Sequence, residues 1–119
     1  MATIEIDGDT LIVSLSSPER LMAFHGDLHV PMDAVRKVAV EPHPYRAVRG
    51  IRAPGTGWPG VVSYGVRRLT GERPDFAAVR GQGPAVHMRL GEPSPYAELI
   101  VTVDGAEECA RRIGAAAGL

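Results

Sequence analysis

A mainly β fold is predicted for this chain: seven or eight short strands in an antiparallel barrel or sandwich, closed at one end by a C-terminal α-helix. Three observations carry that expectation. Apolar residues alternate along short runs, the pattern of half-buried strands. Clusters of Gly, Pro, Asp and Ser separate the runs, as turns require. Only the C-terminal segment keeps apolar residues at spacings of three and four over several turns. With 119 residues, the chain fits one domain, residues 1–119, long enough to bury a core of its own.

The elements follow in order. Residues 3–6 alternate, Asp7-Gly8-Asp9 supplies turn chemistry, and residues 10–15 follow as a second short strand, which is a hairpin signal. Ser17 reads as a helix N-cap with Pro18 at the first helical position, opening a helix that ends by Gly26. Leu28 and Val30 share one face of a short strand that Pro31 stops or confines to an edge. Residues 35–41 resume as a strand with Val38 and Val40 inward, and Pro42 and Pro44 then forbid any ladder.

Residues 49–65 hold five of the fourteen glycines, two of the ten prolines and the single tryptophan. Their density predicts a shaped loop, with Gly55, Gly57 and Gly60 serving backbone geometry and Trp58 packed inward between Pro54 and Pro59. Residues 61–69 form a strand in which Gly65 marks a bulge or a close backbone approach. Two further strands, 75–80 and 85–90, are joined through Gly81–Pro84; Val86, Met88 and Leu90 face inward, His87 and Arg89 outward. Residues 97–103 make the last strand, with Leu99, Val101 and Val103 on one face. The closing helix starts at Asp104 as N-cap with Glu107 three residues on. Ala106, Cys109, Ala110, Ile113 and Ala117 form its apolar stripe, and Glu107–Arg111 and Glu108–Arg112 are spaced as i,i+4 pairs.

The segment Val30-Pro31-Met32-Asp33-Ala34-Val35-Arg36-Lys37-Val38 resembles the hydrophobic-Pro-x-x-x-hydrophobic-x-x-Val junction between early strands of bacterial pleckstrin-homology-like (PH-like) domains. The Arg-rich segment that runs into a glycine-rich turn, and the helix after the last strand, are similar to that family too. The resemblance implies a bent, seven-stranded antiparallel barrel whose C-terminal helix plugs one end, and a binding role of unspecified ligand. Lipid-binding members use a basic loop between the first two strands. Here that loop is the acidic Asp7-Gly8-Asp9, which argues against inositol-phosphate binding.

Charge is uneven. Net charge is −5 over residues 1–35, +7 over 36–89 and −3 over 90–119. A basic middle third can steer an anionic ligand, or it can be neutralised by pairing with the acidic ends. The sequence pI lies below 7 and no nucleic-acid module is present, so nucleic acid is not an expected partner. The expected compartment is the cytoplasm: Cys109 stands alone, no apolar run reaches the length of a membrane span, and the N-terminus lacks signal-peptide character.

Catalytic and cofactor motifs are weak. Gly55-Thr56-Gly57-Trp58-Pro59-Gly60 matches G-x-G-x-x-G, but a dinucleotide site needs a helix after it, and a strand follows. His25, Asp27 and His29 alternate, yet Gly26 interrupts them and they fall on a solvent face, so no metal is expected. Ser63 is not in a nucleophile elbow, and Cys109 sits on an apolar helix face. No cofactor is expected. The best candidate ligand site gathers Arg46, Arg49 and Arg52 with His43, Tyr45 and Trp58: cations for an anion, aromatic faces for stacking. The expected function is a cytoplasmic PH-like module that binds a small anionic ligand or a protein partner. The alternative is a small enzyme with a pocket under the glycine loop, using His43, Tyr45 or an Arg for acid–base or anion-stabilising chemistry. Pairing of an edge strand such as residues 28–31 between copies would make a homo-oligomer.

Overall fold

Nine described strands form two sheets in the computed structural model of the chain, which describes residues 2–23, 26–58, 61–92 and 94–119, with residues 51–54 described by their backbone alone. The first sheet is the expected hairpin plus one strand: β1 (Thr3–Asp7), β2 (Thr10–Ser14) and β3 (Leu28–Pro31), all antiparallel. Its alternation puts Leu11, Val13, Leu28 and Val30 into the core.

Helix α1 (Ser17–Ala23) lies between β2 and β3 in sequence, and it is capped one residue earlier than expected. Ser16, not Ser17, is the N-cap. The Glu19 N–H donates to Ser16 Oγ at 3.4 Å while Ser16 N–H donates to Glu19 Oε1 at 3.0 Å, a reciprocal capping box. Glu19 Oε2 then accepts from the buried Tyr64 hydroxyl at 2.8 Å, tying α1 to the second sheet.

That second sheet has six strands: β4 (Val35–Glu41), β5 (Ile51–Trp58), β6 (Val62–Arg68), β7 (Asp75–Arg80), β8 (Ala85–Leu90) and β9 (Glu98–Thr102), in the order β4-β8-β9-β7-β6-β5. β7 and β8 do not pair with each other. β9 inserts between them, antiparallel to β8 and parallel to β7. The reason lies in its sequence, since Leu99-Ile100-Val101 is a continuous apolar run that requires cover on both faces, and every residue of β9 is buried.

This topology corrects the expected one. The strands are not all antiparallel, they number nine among the described residues, and the sheets do not close into a barrel, because β4 and β5 lie at opposite edges of the second sheet. The stretch expected to be a loop is largely a hairpin: β5 pairs with β6, with a register shift between Arg52 and Gly55. An edge strand tolerates Pro54 because only one side of the ladder needs donors.

Tyr64, Val66, Phe76, Ala78, Val86, Met88, Leu90, Leu99 and Val101 form the inner face of the second sheet and meet the first sheet's apolar residues in one core. Helix α2 (Ala106–Ala116) covers that core with Ala106, Ala110 and Ile113 buried, as its stripe predicts. Its cap differs, with Gly105 at the N-cap in the left-handed region (φ 64°) and Asp104 not serving. Its exposed pairing differs too, because Arg111 bonds Glu108 one turn back at i,i+3.

Candidate functional site

The outer face of the six-stranded sheet carries a connected set of charged side chains. Ladder register sets its rows. Lys37 of β4 stands opposite Arg89 of β8, Arg89 opposite Glu98 of β9, and Asp75 of β7 opposite Arg67 of β6. One row along, Ala39 stands opposite His87, and His87 opposite Ile100.

The proline-bounded segment after β4 crosses part of this face. A single 3-10 turn (Pro44–Arg46) brings Tyr45, Ala47 and Val48 onto Ala77, Val79, Ala85 and Ile100, a small second core. Arg49 follows and reaches the buried acids of the central strands. Its Nε donates to Asp75 Oδ2 at 2.6 Å and its Nη2 to Asp75 Oδ1 at 3.2 Å, a two-pronged pairing. Nη2 also lies 2.9 Å from Glu98 Oε2, and Nη1 lies 3.6 Å from the more exposed Glu72. Arg67 fixes the strap by donating to the carbonyls of Arg49 and Gly50.

Asp75 is fully buried. Burial pushes its carboxyl above the ordinary aspartate value, outweighing the Arg49 bonds that pull it down. Arg49 in turn is held more firmly as a cation, chiefly by its hydrogen bonds to Asp75. Beyond Arg49, the relay continues outward: Glu98 Oε1 lies 2.5 Å from His87 Nε2.

His87 opens onto a groove of about 220 Å3 between β4 and β8, lined by Lys37, Ala39, Glu41, His87 and Arg89. Lys37 and Arg89 are both exposed, and neither has an ion-pair partner among the described residues. Glu98, directly across from Arg89, is committed to Arg49 and His87. Two cations directly opposite on adjacent strands repel each other.

The sequence-predicted site residues are placed as follows. Tyr45 and Arg49 share the outer face, Tyr45 as part of the apolar cover and Arg49 as the ion-pair centre. The Tyr45 hydroxyl is buried without a partner among the described residues, and burial raises its pKa. Arg46 and His43 are exposed. Trp58 is 68% exposed at the end of edge strand β5, so it is not anchored inward as expected. Arg52 pairs with Arg67 through the backbone, and its side chain lies outside the described residues. Of the alternating triplet, His25 also lies outside them, while Asp27 accepts the Leu15 N–H and pairs with Arg20. Among the described residues no cluster could hold a metal ion, and no helix is long and apolar enough to cross a membrane.

Sequence reasoning missed Lys37, His87, Arg89, Asp75 and Glu98 as one site. The outward alternation of His87 and Arg89 was the available signal, but their partners depend on a strand order that alternation does not encode. A scan against protein-family models and searches of curated proteins and of solved structures found no match.

Proposed function

We propose that this chain is a binding module for a small anionic ligand, in keeping with its resemblance to PH-like domains, and that the ligand sits in the groove between β4 and β8. The observation that supports this is the Lys37–Arg89 cross-strand pair, neither member of which has an ion-pair partner among the described residues. Like charges placed directly opposite lower stability, by about 0.2–1 kcal/mol for a pair of this kind. A bound anion converts that repulsion into two charge-assisted hydrogen bonds. The groove is smaller than the ~300–1,000 Å3 that encloses a drug-sized ligand, so it takes one compact charged group.

The test is thermal unfolding of the native protein and of Lys37→Gln/Arg89→Gln with inorganic phosphate added at low salt. Native Tm should rise with the logarithm of phosphate concentration, and the double variant should lose that rise. Without ligand, the double variant should be slightly more stable than the native protein. Equal phosphate stabilisation of both proteins, or none of the native one, overturns the proposal.

A further inference from the structure

His87 is the groove polar group whose chemistry is set from behind. The Glu98 carboxylate can only accept hydrogen bonds, and its two oxygens are divided between His87 Nε2 at 2.5 Å and Arg49 Nη2 at 2.9 Å. That arrangement puts the proton of a neutral imidazole on Nε2. Nδ1 is then a lone-pair acceptor, and it has no hydrogen-bond partner among the described residues.

An acceptor beside two cations discriminates among oxyanions. It opposes one whose oxygens are all bare, and it takes a hydrogen bond from one that still carries a proton. Glu41, on the same groove wall, acts in the same sense: its Oε1 accepts the His43 N–H at 3.0 Å, and its charge disfavours a ligand with nothing to donate. We propose that the groove selects a proton-bearing tetrahedral oxyanion, a hydrogen phosphate or the singly ionised form of a phosphate monoester. Lys37 and Arg89 hold its ionised oxygens while His87 Nδ1 accepts its P–O–H proton. This selectivity rests on the groove binding anions at all. Glu98 is a positioning residue within it, fixing the tautomer that makes His87 an acceptor, and Arg49 keeps Glu98 turned to that task.

Sulfate is the discriminating probe, because it shares the shape and double charge of hydrogen phosphate but carries no proton near neutral pH. Isothermal titration of the native protein with inorganic phosphate and with sulfate at pH 7 should show phosphate binding at least about tenfold tighter, the scale of one hydrogen bond involving a charged group. In His87→Ala the preference should fall to within about threefold while phosphate still binds through Lys37 and Arg89. Sulfate binding as tight as phosphate in the native protein overturns the selectivity and leaves the anion site standing. Survival of the preference in His87→Ala overturns the role of His87. Binding of neither anion overturns the site itself. The native comparison decides the selectivity even where His87→Ala fails to fold.

Discussion

Gly55 and Gly65 face each other across the β5–β6 ladder, and the strands close on each other only because Gly55 has no side chain. A Cβ on Gly55 would lie 2.1 Å from the Tyr64 carbonyl oxygen and 3.0 Å from Gly65 Cα. Its φ of 153° is also one that L-residues rarely adopt. Gly55→Ala should therefore cost at least the ~1–3 kcal/mol of a strained backbone position, read by urea unfolding. Gly83→Ala is the control, since an added Cβ there meets nothing within 4 Å. A comparable loss at both positions would show that the close approach at Gly55 does not govern the hairpin.

Glu19 links the α1 cap to the core, and it gives acid stability a defined sign. Burial pushes its carboxyl up. The Ser16 N–H, the Tyr64 hydroxyl and the Ser16 hydroxyl pull it down and prevail, so it lies below the ordinary glutamate value. A depressed folded-state pKa contributes stability that is present above the unfolded value of about 4.5 and lost as pH falls through the folded one. Glu19→Gln keeps the capping geometry but not the charge. It should cost about 1 kcal/mol at pH 7, the difference between charged and neutral hydrogen bonds. That gap should shrink on acidification below the unfolded value. A gap that stays constant from pH 7 into strong acid would refute the linkage.

Side-chain periodicity made much of the fold legible. Val86, Met88 and Leu90 alternate inward as their sequence dictates, and Ala106, Ala110 and Ile113 bury the helix stripe. What stayed illegible was set by backbone shape or by distance along the chain. Gly55 and Pro54 read as loop because side-chain propensities carry no information about a glycine pair that lets two backbones touch. Trp58 between prolines reads as a buried anchor, yet it lies exposed at the end of an edge strand. Arg49 was recognisable as part of a basic segment, but its partner Asp75 lies 26 residues away. The Lys37–Arg89 pair needs β4 to lie beside β8, and no local pattern brings together two strands that far apart in the chain.

The Arg49–Asp75 pair should dominate the stability of the outer face. Asp75 has no exposed side-chain surface, whereas the Arg49 side chain is 36% exposed. Removing one partner of a buried pair costs ~3–5 kcal/mol, and the exposure of Arg49 places its loss toward the lower end. Arg49→Met should therefore destabilise strongly at neutral pH by leaving a buried carboxylate without its two donors. The sign with pH is fixed by Asp75, whose carboxyl burial already raises. A raised carboxyl lowers stability above its folded-state pKa, and the deficit is relieved as pH falls through that value and the group takes up a proton. Without Arg49 that pKa moves higher still, so acidification should recover more stability in Arg49→Met than in the native protein. Asp75→Asn should likewise reduce the cost of Arg49→Met, because no orphaned charge then remains, and a double-mutant cycle isolates the coupling. If Arg49→Met costs as much in the Asp75→Asn background as in the native one, the two side chains are not coupled, and Arg49 acts through its other acidic neighbours, Glu98 and Glu72.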